Sequence, residues 1–134
     1  MTTSHTTNRE ARQIAQQWLD ELAFSAATWN LDAHMQLVSQ QVEVTGVPNV
    51  SRIDYRGWLA RRKNEFEKKL LHSLSYRLRE IRSMEERQLR FTVEETMRAF
   101  NGKAILIEKT ITLHREEDGK WRVRREHLER IHKR

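Results

Sequence analysis

The chain has 134 residues, with 25 lysines and arginines against 19 aspartates and glutamates and no cysteine. That length suits one domain, residues 1–134, around a single core. The lack of cysteine excludes disulfides, thiolate nucleophiles and thiolate-bound metals, leaving His, carboxylate, Lys, Tyr and hydroxyl chemistry. The net charge of +6 is compatible with anionic partners, but the basic residues (Arg61-Arg62-Lys63, Lys68-Lys69, Arg122 with Arg124 and Arg125, and the tail Ile131 to Arg134) are interleaved with acids and read first as a solvated surface, with nucleic acid the weakest of the partners considered.

The opening MTTSHTTNRE has no apolar run of the secretory kind, and no later stretch is long enough to span a bilayer. A cytoplasmic protein with no membrane partner is expected. Thr7-Asn8-Arg9-Glu10 has the form of a capping box, and Ile14, Ala15, Trp18, Leu19, Leu22 and Ala23 follow at helical spacing, predicting a helix over roughly 8–27. Asn30 or Asp32 caps a short second helix with Leu31, Met35 and Val38 inward. Val42 and Val44 mark a brief strand that Gly46 and Pro48 end. Asp54 caps a third helix whose stripe runs Trp58, Leu59, Arg62, Phe66 and Leu70. Leu74, Tyr76 and Leu78 alternate in the next strand, and Ser83 to Arg87 form a polar turn.

Leu89 to His127 reads as three antiparallel strands whose apolar positions share one parity: Leu89, Phe91, Val93, Met97; Ile105, Ile107, Ile111, Leu113; Trp121, Val123. Phe100-Asn101-Gly102 and Glu117-Asp118-Gly119 each end in a glycine able to take positive φ, as three-residue hairpin loops require. Facing residue numbers then sum to about 202 and about 236, which keeps odd positions together. The same parity places Glu95, Lys109, Arg125 and His127 on the apolar face. Lys109 is expected opposite Val93 and His127, and Arg125 opposite Ile111.

The resulting order is ααβαββββ, an α+β domain with helices on a curved antiparallel sheet. The first helix with Trp18, the segment Leu31 to Val38, the strand Val42 to Gly46 and the closing Asp118-Gly119-Lys120-Trp121-Arg122-Val123 resemble the nuclear transport factor 2-like (cystatin-like) superfamily, and within it the small bacterial SnoaL-like proteins. The resemblance implies a cone-shaped fold with a pocket and a homodimer made through the outer sheet face. Ketosteroid isomerases, polyketide cyclases, epoxide hydrolases and dehydratases share that fold, so fold alone does not choose an activity. The isomerases' carboxylate base, at the end of the first strand, is matched here by Gly46, and their first-helix tyrosine by Trp18.

Two readings of the inner-face charges stay open. In one, Glu95 or His127 moves protons while Lys109 and Arg125 hold an anionic group, with Trp18, Trp58, Tyr76 and Phe91 lining a pocket for a small hydrophobic or anionic molecule, as in an isomerase, cyclase or lyase. In the other, the four form a satisfied ion-pair network, the aromatics are plain core, and the protein is a non-catalytic dimeric interaction module. Glu95 either pairs with Lys109 or Arg125 or carries a raised pKa. The histidines show no paired ligand spacing, so neither metal nor cofactor is expected.

Overall fold

Helix α1 (Ser4–Ala27) buries Ala11, Ala15, Trp18, Leu19, Leu22 and Ala26 along one stripe, the spacing of a helix with a single face on a core. The computed structural model describes residues 4–133, and in it α1 starts at Ser4, ahead of the Thr7 expected to cap it. No Gly or Pro lies between Ser4 and Thr7 to stop the helix there. The chain reverses at Trp29 (φ 50°), and Asn30 caps α2 (Leu31–Met35) by accepting from the Ala33 amide. Strand β1 (Val38–Thr45) ends at Gly46, whose φ of +85° would strain a side chain and whose Cβ would lie 2.4 Å from the Leu128 carbonyl oxygen. Asp54 accepts from the Gly57 amide to cap α3 (Tyr55–Glu67), which buries Trp58, Arg62 and Phe66 at four-residue steps. Helix α3 stops short of Leu70: Lys69 turns left-handed (φ 54°) and leaves Leu70 exposed.

Strands β2 (Ser73–Glu85), β3 (Gln88–Arg98), β4 (Ala104–Arg115) and β5 (Trp121–Lys133) complete the expected order. β2 continues through Ser83 to Glu85, where a turn was expected, because register shifts at Arg79 and Arg82 let a polar edge strand keep pairing with β3. The strands form one curved, unclosed sheet in the order β1-β5-β4-β3-β2, with β1 parallel to β5 and the rest antiparallel. Helix α1 lies against β2 and β3, and α3 against β1. Leu89, Phe91, Val93, Ile111, Leu113 and Val123 meet the α1 stripe to make the core.

The register of β3 on β4 is as expected along its whole length, from Leu89 opposite Leu113 to Met97 opposite Ile105. Gly102 and Gly119 take the positive φ that the two loops need. The pairing of β4 with β5 begins as expected, with Leu113 opposite Val123, and then departs. Arg124 is an extra residue, so Arg125 faces Thr112 and Glu126 faces Ile111; a second extra residue, Glu129, shifts the strand again before Arg130. Each extra residue exchanges the faces of all that follows.

A buried carboxylate–lysine–carboxylate row beside an open pocket

The first bulge decides which β5 side chains look inward. Arg125 and His127, expected on the apolar face, are exposed on the outer one, and Glu126 is buried in their place. His127 Nδ1 lies 2.7 Å from Thr45 Oγ1, and Lys109 faces Leu128 rather than His127. Neither Arg125 nor His127 belongs to an interior site.

What converges inside is a row across three strands: Glu95 on β3, Lys109 on β4 and Glu126 on β5. Lys109 Nζ is 2.9 Å from Glu95 Oε1 and forms a second, closer ion pair with Glu126 Oε1. Tyr76, opposite Glu95 on β2, donates its hydroxyl to Glu95 Oε2 at 2.5 Å. The Lys109 contact at Glu95 Oε1 is a charge contact without aligned hydrogen-bond geometry, so this oxygen keeps acceptor capacity. Burial of Glu95 opposes ionisation, but the charges of Lys109 and Arg62 and the hydrogen bond from Tyr76 outweigh it and hold the carboxyl below its ordinary pKa. Burial likewise disfavours the Lys109 ammonium and is outweighed by Glu126 and Glu95, so its pKa is raised. Tyr76 is pushed well above the usual phenol value by burial and by the Glu95 charge and stays a donor. Of the two states open to Glu95, the structure shows the paired one.

A second cluster joins the three helices. His34 on α2, wholly buried, has Nδ1 3.0 Å from Ser25 Oγ on α1; its Nε2 accepts from Trp58 Nε1 at 3.1 Å and from Arg62 Nε at 3.2 Å, both on α3. Ser25 donates its only hydroxyl proton to the Leu22 carbonyl, so it accepts from His34. The imidazole is therefore neutral and protonated on Nδ1. Burial, with the charges of Arg62 and Lys109, depresses its pKa to about 3.

Between α3 and the inner face of β3, β4 and β5 opens a pocket of about 320 Å³. Its apolar walls are Val44, Ile53, Trp58, Met97, Ile107 and Leu128; Arg62, Glu95, Lys109 and Glu126 are its buried polar groups; and Arg61 and Lys133 stand exposed on its lining. Of the expected aromatic lining, only Trp58 takes part. Trp18 is core, its indole N–H donated to the Leu37 carbonyl at 3.1 Å, Phe91 is completely buried among core residues, and Tyr76 reaches the row only from behind Glu95. Gly46 has no room for the carboxylate that the isomerases carry at that point.

Sequence reasoning missed Glu126, Arg62 and His34 as site residues. Arg62 had a signal, as a charged residue on the buried stripe of α3, and so did His34, one turn after the inward Leu31. Glu126 had none, because its face depends on the bulge. Among the described residues no group of three or more His, Asp or Glu side chains is arranged to hold a metal, and no helix is long and apolar enough to cross a membrane.

No protein-family model matches the sequence, and no curated protein does. Solved structures do match. A nuclear transport factor 2-like protein of unknown function from Shewanella oneidensis superposes with a TM-score of 0.75 at 18% identity, over 87% of this chain and 97% of that one. A protein provisionally named scytalone dehydratase from Novosphingobium aromaticivorans gives 0.72 at 15% identity, over 94% and 87%. A hexachlorocyclohexane dehydrochlorinase gives 0.65 at 13% identity, over 96% and 92%. At such identities the likeness establishes the fold.

Proposed function

From the premise that this chain has the nuclear transport factor 2-like fold, we propose that it binds a small, mostly apolar molecule in the pocket and moves a proton on it, as an isomerase, cyclase or lyase does. The observation that carries the reading is the pocket itself: about 320 Å³ of apolar-walled space with Glu95, Lys109 and Glu126 among its buried lining. That volume is at the low end for small-molecule sites, so the ligand is small. Glu126 is the general base in this reading: both carboxylates share Lys109, but Glu95 also holds the Tyr76 hydroxyl, whereas Glu126 has Lys109 alone among the described residues. When Glu126 takes a proton from carbon, the negative charge passes to the substrate, and the Lys109 ammonium, left beside it, stabilises the anion. Return of the proton elsewhere gives isomerisation; loss of a neighbouring leaving group gives elimination.

Two measurements test this. Titration with cinnamamide, a neutral probe of suitable size, should shift the methyl resonances of Ile53, Ile107 and Ile131, and Ile107→Trp should abolish the shifts; silence at millimolar probe overturns the binding reading. A panel of cyclic enones and β-hydroxy ketones incubated in D2O should show exchange at carbon that Glu126→Gln removes. Exchange unaffected by that variant removes Glu126 from the mechanism.

The same proposal includes a two-fold dimer through the outer sheet face, where Thr92, Thr96, Leu106, Thr110 and Thr112 are half-buried in the single chain. Sedimentation at micromolar concentration should give a dimer; a monomer alone overturns it.

A further inference from the structure

The buried cations of the pocket differ in what they have left to offer. Lys109 is shared between two carboxylates. Arg62 spends Nε on His34 and one terminal nitrogen on Glu65 Oε1, at 2.5 Å, while its other terminal nitrogen has no protein partner among the described residues, although the residue lines the pocket. A guanidinium is a rigid fork, so fixing Nε and one arm fixes where the free arm points.

His34 does the fixing. Both of its ring nitrogens are committed, Nδ1–H to Ser25 and Nε2 to Trp58 and Arg62, so it has no proton to exchange with a ligand. What its Nε2 does is hold Trp58 and Arg62, both of which line the pocket. The exposed cations Arg61 and Lys133 add positive charge to the lining, whereas each of its three carboxylates is paired, Glu95 and Glu126 with Lys109 and the half-buried Glu65 with Arg62. The gradient suits a ligand that carries its own negative group.

Building on the pocket reading above, we propose that Arg62 receives an anionic oxygen of the ligand, that the ligand is a small monocarboxylate with an apolar body, and that His34 is a positioning residue that aims the Arg62 fork. Glu65 occupies one side of the guanidinium, so the carboxylate meets the free arm alone. Lysine cannot replace arginine here: it keeps the charge and loses both the fork and the contact to His34.

The test compares trans-cinnamate with cinnamamide, nearly isosteric probes that differ in charge, by calorimetry and NMR at pH 7.5. Wild type should bind cinnamate at least about tenfold more tightly, the size expected for one charge-assisted hydrogen bond, and cinnamate alone should shift the Arg62 Nε–H resonance. Arg62→Lys keeps the charge but loses the fork, so it should lower the affinity ratio several-fold, and cinnamate should lose more affinity than cinnamamide. His34→Leu should lower the ratio, and His34→Gln, which keeps an acceptor, should restore it. A wild-type ratio near unity, or an Arg62 resonance indifferent to cinnamate, overturns the assignment, and neither needs a variant that folds. Equal weakening of both probes in His34→Leu shows a structural His34 and overturns the positioning role. Binding of neither probe by wild type is a different failure, that of the pocket reading itself.

Discussion

The two polar clusters beside the pocket are held together in opposite ways. On the sheet, Glu95, Lys109 and Glu126 come from three strands and are held by charge, and with Arg124 in the chain they meet because that residue bulges out of β5. On the helices, Ser25, His34, Trp58 and Arg62 are satisfied by directed hydrogen bonds around a neutral imidazole, with Trp58 and Arg62 one helical turn apart. The ionic row is insensitive to fine geometry and intolerant of losing a partner. The imidazole cluster is the reverse: its directions are fixed, and what threatens it is a proton.

Shifting the strand after the bulge is the harshest way to separate them. One alanine inserted after Arg125 turns Glu126 outward and brings His127 opposite Lys109, with Leu128 leaving the inner face. The insertion should cost about 5 kcal/mol or more, because the row loses a buried member and a strand segment changes face, and cooperative thermal unfolding should disappear. A transition close to wild type would show that residue count along β5 does not set the face of Glu126. Deletion of Arg124 is the control: the extra residue goes, Glu126 stays opposite Ile111 on the inner side, and cooperative unfolding should survive.

Lys109→Met is milder and leaves the register alone. Two buried carboxylates then face each other without a cation, and the expected loss is about 3–5 kcal/mol by denaturant unfolding. The Nδ1–H tautomer of His34, followed by nitrogen NMR, should not change, since none of its partners belongs to the row.

The converse experiment uses pH. An unfolded histidine titrates near 6.5, whereas His34 in the folded chain titrates at about 3. Between those values the unfolded state binds the proton and the folded state does not, so stability falls as pH falls. The contribution is complete above pH 6.5 and is lost at about 1.4 kcal/mol per pH unit, or about 2 kcal/mol by pH 5, before most carboxylates respond. His34→Gln should flatten that stretch of the stability profile. An unchanged slope would mean that His34 takes up a proton while folded, which its two committed nitrogens forbid.

How much of this is legible in the sequence follows the same division. The β3–β4 register can be read because Asn101-Gly102 fixes a hairpin loop and nothing interrupts the pairing afterwards, so Glu95 and Lys109 fall on the correct face. Nothing at Arg124 marks a bulge. It is one of several arginines on a polar strand, and its extra-residue geometry shows only in how β5 pairs with β4. With that residue unaccounted for, plain alternation puts Arg125 and His127 inside and Glu126 outside. Trp18 and Phe91 are misplaced for another reason. Spacing shows that a side chain is buried, but it does not distinguish the core side of α1 from the pocket beside α3.

The mildest change tests the link between the row and its neighbouring strand. Tyr76→Phe removes only the hydroxyl that donates to Glu95 Oε2. A hydrogen bond to a charged group contributes about 1.5–3 kcal/mol, and the lower end is expected here because Lys109 and Arg62 still act on the carboxylate. The sign of the pH effect is fixed as well. Glu95 has a folded pKa below its unfolded one, so its contribution is present above the unfolded value and is lost as pH falls through the folded value. Taking away the Tyr76 bond raises the folded pKa and narrows that interval. The variant should therefore lose about 1–2 kcal/mol at neutral pH, with the deficit relative to wild type shrinking once Glu95 is protonated in both proteins. A deficit that stays constant down to the acid limb would show that Tyr76 contributes by packing alone.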